Sequence, residues 1–144
     1  MAGASREHVT IVANLAYLLV GQFKGRPCMA FTNDMRLKVT ETGLYTYPGV
    51  AALCSEPEFE DSEQDTLTNP SLIIEVLSDS TERYDRGDKF AHYRRLTSLQ
   101  TMCWWNTSPD TVRSGSFAWR KGWRPVCHCP LWAVSSRWQT FMTK

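Results

Sequence analysis

The run Leu72-Ile73-Ile74-Glu75-Val76-Leu77 constrains this chain more than any other stretch. Its aliphatic residues leave no polar face, so the segment is predicted to be a strand covered on both sides, as interior strands of mixed sheets are. Glu75 then stands inside a core. An ionised carboxylate removed from water is costly unless it is paired or bound to a metal, so this position demands a partner. Two remain open on the residues alone: a divalent cation, or a structural ion pair with one of the arginines that follow, Arg83, Arg86, Arg94 or Arg95.

The residues after the strand suggest how such a partner is presented. Ser78-Asp79-Ser80-Thr81 reads as a polar turn, and Asp85 and Asp88 as acids in the first turn of a helix. On that helix Lys89 and Tyr93 are four residues apart and share a face, with Phe90 turned toward the sheet. A carboxylate on a strand and a lysine on the next helix can together form a hydrolytic centre. The carboxylate holds a divalent cation and the lysine stabilises charge on an attacked phosphate.

Upstream, HVTIVANLAYLLVGQF places Val9, Val12, Ala13, Ala16, Leu19, Val20 and Phe23 at helical spacing and predicts an amphipathic helix packed on a sheet. Met35, Leu37 and Val39 alternate with Arg36 and Lys38 as in a half-buried strand, and Glu41-Thr42-Gly43 supplies a turn into a hairpin partner at residues 44–53. The acidic stretch EPEFEDSEQDTLTNP has no periodicity and reads as a solvated connection. Cys28 and Cys54 are expected to be buried free thiols, and His8 and His92, without a second ligand at metal spacing, to have packing or surface roles.

At 144 residues with 42% hydrophobic content the chain fits one α/β domain. No window approaches a membrane span and MAGASREHV is not a signal peptide, so the reading is a cytoplasmic protein with no membrane partner. The net charge of +1 conceals an asymmetry: residues 1–100 hold 10 Lys/Arg and 14 Asp/Glu, net −4, and residues 101–144 hold 6 and 1, net +5. All six tryptophans fall in the second part.

HVTIVANL, LYTYPGVAALC and NPSLIIEVLSDSTERYDRGDKFAHYRRL, followed by SLQ, resemble in that order the Uma-type restriction-endonuclease family, a bacterial branch of the PD-(D/E)XK superfamily. The resemblance covers nearly all of residues 1–100. It implies a restriction-endonuclease-like mixed sheet flanked by helices, Mg²⁺ as cofactor, DNA as partner and phosphodiester hydrolysis as the reaction. By the same resemblance Glu75 is a metal-binding carboxylate and Lys89 the catalytic lysine, carried on the helix because the superfamily's usual position falls on Leu77.

Three features depart from that pattern. Gly49 follows Pro48 where the family carries a second metal-binding aspartate, and glycine offers no ligand. Relatives carry a further segment before the position of Met1, so the domain is expected to be incomplete at its N-terminus. After SLQ the family continues with a strand like Tyr-Val-Leu-Val-Asp/Glu, whereas this chain reads TMCWWN. Met102 to Asn106 must be encoded by ATG TGY TGG TGG AAY. Read from the third base of the Thr101 codon, these bases give Tyr, His, Asn or Asp, then Val-Leu-Val-Glu. RWQTFMTK, shifted the same way, resembles the family's closing Leu-Ala-Asp-Val-Tyr-Asp.

Residues 1–100 are therefore read as a truncated nuclease-like domain and residues 101–144 as an out-of-frame tail, expected to complete the sheet poorly. The adjacent Cys127-His128-Cys129 lacks zinc-site spacing, and the basic, Trp-rich tail needs no binding role. Two functions follow: a metal-dependent DNA endonuclease, impaired at Gly49, or a non-catalytic remnant that serves as a DNA-binding or homodimerising module or is a decaying gene product.

Overall fold

The computed structural model describes residues 4–78, 82–107, 116–120 and 126–129. Residues 79–81 of the expected polar turn and the terminal segment 137–144 lie outside the described residues, as do the side chains of Cys127, His128 and Cys129.

Helix α1 (Arg6–Phe23) starts at Ser5, whose side chain accepts from the His8 N–H. It buries Val12, Leu15, Leu19 and Phe23, whereas Val9 and Val20 are more than half exposed. The buried stripe is thus rotated from the predicted one toward Leu15. Strands β1 (Met29–Thr32), β4 (Val50–Leu53), β6 (Leu72–Leu77), β7 (Thr101–Asn106), β8 (Ser116–Arg120) and β9 (Val126–Cys129) form a six-stranded sheet in the order β1-β4-β6-β7-β8-β9. β6 pairs antiparallel with β4 and parallel with β7, so the sheet is mixed. Between β6 and β7 the chain crosses over through α2 (Glu82–Arg86) and α3 (Asp88–Tyr93). A second sheet has the order β3-β2-β5, from β2 (Arg36–Val39), β3 (Leu44–Thr46) and β5 (Thr66–Leu67).

The two faces of the large sheet follow from strand alternation. Leu72, Ile74 and Val76 of β6 pack with Val50, Ala52, Cys103, Trp105 and the buried face of α1. Ile73 and Leu77 point the other way, toward Ala51, Leu53, Met102, Trp104, the small-sheet residues Leu37, Val39 and Leu67, and Tyr93 and Leu96 after the crossover. Every residue of β6 is buried, as the absence of a polar face requires.

Four expectations need correction. Residues 44–53 do not form one hairpin strand: β3 pairs with β2 across the turn where Gly43 adopts φ +74°, and β4 joins the large sheet. The Tyr47-Pro48-Gly49 segment divides them, because a proline has no N–H for a continuing ladder. The acidic connection is not wholly solvated. It delivers β5, with Thr66 and Leu67 fully buried and Phe59 bridged to Leu67. Cys28 and Cys54 are not free thiols but a disulfide; β1 pairs Met29 with Leu53, and continuing that register sets the two cysteines opposite each other. Finally, Thr101–Asn106 joins the sheet as β7, with Met102, Cys103, Trp104 and Trp105 buried. All four are apolar, which is the property a strand between two covered faces selects for.

Candidate active site

Glu75 lies on β6 with its side chain on the face covered by the crossover helices, and it is 4% exposed. Lys89 and Tyr93, one turn apart on α3, reach it from above. The Lys89 ammonium is 2.7 Å from Glu75 Oε1, and the Tyr93 hydroxyl donates to the same oxygen at 2.6 Å. Phe90, predicted to face the sheet, sets its ring edge-on to Trp104 at 4.9 Å, while Lys89 and Tyr93 are the more deeply buried pair. Lys89 also lies 3.4 Å from Asp85, which is itself buried. The order Asp85, Lys89, Tyr93 therefore sends three four-spaced side chains toward one strand carboxylate. From the sequence Asp85 is expected only as a helix-start acid and Tyr93 only as a neighbour of Lys89 on its face; their common four-residue spacing with Lys89 is the signal for the contacts seen.

The cation beside Glu75 is neither Arg94 nor Arg95. Arg95 pairs with Glu41 at the surface, and Arg94 lies over the Phe90 ring. The short lysine on the inward face reaches Glu75 instead.

Electrostatics follow from burial. Removal from water pushes the Glu75 carboxyl above its ordinary value of 4.5; the Lys89 charge and the bonds from Lys89 and Tyr93 oppose this, and Asp85 adds to it. The Tyr93 phenol is held well above its ordinary value by burial and by the Glu75 charge, so it remains a donor. His8 is shifted down by burial, with Asp85 opposing.

Gly49 falls in the same place. β4 pairs Val50 with Ile74, and one further step of that antiparallel register sets Gly49 opposite Glu75. Opposite residues project to the same face. Its N–H donates to Glu75 Oε2 at 3.3 Å. A Cβ at this position would stand 3.0 Å from the Ile74 carbonyl oxygen and 3.4 Å from the Val76 nitrogen. An aspartate here would therefore be adjacent to Glu75 after a displacement of a few tenths of an ångström.

The family model described as "Putative restriction endonuclease", Uma2, matches residues 1–126. The chain belongs to the Uma2 family. Among its relatives are two uncharacterised proteins of Synechocystis sp. Protein sll1609 is 43% identical over 100 residues, covering 69% of this chain and 56% of that protein. Protein slr1290 is 38% identical over 100 residues, covering 69% and 52%. The chain thus spans about half the length of the curated relatives it matches. A crystal structure from Anabaena variabilis, of "a putative nuclease belonging to DUF820", superimposes with a TM-score of 0.67 at 14% identity over 94% of this chain and 83% of that one. The mixed α/β fold is that of this nuclease-like neighbour.

Whether the Uma2 site here suits a divalent cation turns on its donors. Glu75 Oε2 is available, but Glu75 is neutralised by Lys89 and position 49 supplies an N–H, not an oxygen. Among the described residues no three His, Cys, Asp or Glu side chains converge. Mg²⁺ is commonly held by one or two carboxylates with waters and substrate phosphates; a cation here would meet the Glu75 carboxylate and no oxygen side chain at position 49. Among the described residues no helix is long and apolar enough to cross a membrane.

Proposed function

We propose that this chain is a Uma2-type nuclease domain, descended from metal-dependent DNA endonucleases, whose own centre is too incomplete for efficient phosphodiester hydrolysis. The observation that carries the reading is the Glu75–Lys89 pair at 2.7 Å with Gly49 beside it. The lysine is close enough to meet a phosphate bound near Glu75, which is its family role, yet one of two carboxylates is missing. Loss of a metal ligand commonly lowers metal affinity and rate together, and residues that act as a unit are not additive. In this state Lys89 serves Glu75 as counterion, and the fold is retained as a DNA-binding or dimerising scaffold.

The same reading treats the segment after Gln100 as out-of-frame. Two facts support it: the Val-Leu-Val-Glu hidden in the codons of Met102 to Asn106, and a buried Trp104 Nε1 that has no hydrogen-bond partner among the described residues. A native strand rarely leaves such a donor unpaired. Met-Cys-Trp-Trp is apolar in either frame's company, so the sheet accepts it.

Plasmid nicking in Mg²⁺ or Mn²⁺ tests the proposal. The natural chain is expected to be inactive. A chain carrying Gly49→Asp and the alternative frame after Gln100 should gain nicking that disappears with Glu75→Ala or Lys89→Ala. Glu75-dependent nicking by the natural chain would overturn the reading of Gly49. Nicking by the repaired chain that survives both alanine changes would overturn the site.

A further inference from the structure

We propose that Tyr93 is a positioning residue for Glu75: together with Lys89 it pins Oε1, so that Oε2 alone is presented toward position 49. This rests on the reading of Glu75 as the surviving ligand of a two-carboxylate centre.

The terminal torsion of a glutamate is broad and roughly two-fold, so nothing intrinsic tells its two oxygens apart. Here the surroundings do. Oε1 accepts from the Tyr93 hydroxyl at 2.6 Å and from Lys89 at 2.7 Å, whereas Oε2, among the described residues, accepts the longer 3.3 Å bond from the Gly49 N–H. Bonds to an ionised acceptor are the strong ones, so rotating the carboxylate would break two of them at once. Tyr93 is fully buried, so water cannot replace its hydroxyl. It sits on the face of α3 that carries Lys89, so one helix sets both bonds. The oxygen left with spare lone pairs is the one beside the residue that stands where the family has an aspartate. Lysine and tyrosine on one oxygen, and an incoming cation on the other, is the division of labour this geometry supports.

The primary test uses the chain of residues 1–144 with its natural sequence. Tyr93→Phe keeps the buried ring and removes the hydroxyl; the Gly49 amide, followed by ¹⁵N NMR, should shift and exchange faster as the carboxylate loses its orientation. Site-specific 3-fluorotyrosine at position 93, which folds as the parent does and donates more strongly, should move that amide the opposite way. A Gly49 amide unmoved by both changes overturns the proposal. A second arm compares Mn²⁺ binding by Gly49→Asp with and without Tyr93→Phe, by electron paramagnetic resonance at pH 8. Losing a group that orients a ligand should weaken binding about tenfold or more. Equal affinity overturns the positioning role. If Gly49→Asp binds no Mn²⁺ at all, the metal-centre reading fails, and the amide of the natural chain still decides what Tyr93 does.

Discussion

Removing the cation from Glu75 should reveal the cost of placing that carboxylate in a central strand. Lys89→Met keeps much of the side-chain volume and leaves Glu75 with only Tyr93 and the Gly49 N–H. Two outcomes compete. An unpaired ionised carboxylate at 4% exposure would cost about 3–5 kcal/mol, the usual penalty for breaking one side of a buried pair. Alternatively Glu75 takes up a proton. From its ordinary value of 4.5, holding the proton at pH 7 costs about 3.4 kcal/mol at 1.36 kcal/mol per unit. The cheaper route limits the loss, so this carboxyl should cost roughly 3 kcal/mol at pH 7 and under about 1 kcal/mol at pH 5. The sign follows from linkage: the folded variant holds a proton that the unfolded chain releases above pH 4.5. Its stability is therefore greatest below that value and falls as pH rises toward the folded pKa. Urea unfolding followed by tryptophan fluorescence from pH 5 to pH 8 measures this. The double change Glu75→Gln/Lys89→Met should recover most of the loss and flatten the pH dependence. A penalty that is the same at pH 5 and pH 7, or that Glu75→Gln leaves untouched, would refute the pairing.

Gly49→Asp alone should destabilise the metal-free chain by about 1–3 kcal/mol, because its Cβ crowds the Ile74 carbonyl and its charge faces Glu75. Thermal melts should show Mn²⁺ returning part of that loss, and no response to Mn²⁺ would count against a metal site there. Reducing the Cys28–Cys54 bond, whose sequence separation is 26, should lower unfolding free energy by up to about 3.5 kcal/mol on loop entropy. Identical urea midpoints with and without reductant would show that β1 is held by its ladder alone. Trp104→Leu should cost less than the roughly 3–5 kcal/mol of an ordinary buried-aromatic truncation, since it also removes an unpaired donor. A full-sized loss in urea unfolding would show the indole to be a fitted part of the core.

What could be read from the sequence was what periodicity or solvation cost decides locally. β6 was legible because its aliphatic residues forbid an exposed face, and Glu75 because a carboxylate in that run has to be compensated. Lys89 is legible as a helix residue sharing a face with Tyr93, but not as one that points inward, since Phe90 is the residue expected to face the sheet. Asp85 as the second partner of Lys89 has only its i,i+4 spacing as a signal, and that spacing brings the two together only because α2 and α3 keep a helical path through Gly87. The disulfide was hidden for a similar reason. Cys28 and Cys54 face each other only once β1 is known to pair with β4, a non-local choice that alternation within either strand cannot express. The split of β3 from β4 is marked by Pro48, but local turn chemistry at Glu41-Thr42-Gly43 predicts a hairpin without fixing where its second strand ends.

β7 carries this distinction furthest. Sheets select strands by covered area and β propensity, so Thr101–Asn106 can fill the place beside β6 whichever reading frame produced it. A site imposes more than apolarity. Residues beside Glu75 have to bring donors and charge of the right kind, and the register neighbour of Glu75 on β7 is Trp104, an indole whose N–H finds no partner. Under the proposed function Gly49 is the matching gap on the other side, a residue that the strand tolerates and that brings no carboxylate. On that proposal the sheet accommodates what stands on both flanks of β6, while the centre is confined to what β6 and α3 supply: Glu75, Lys89 and Tyr93.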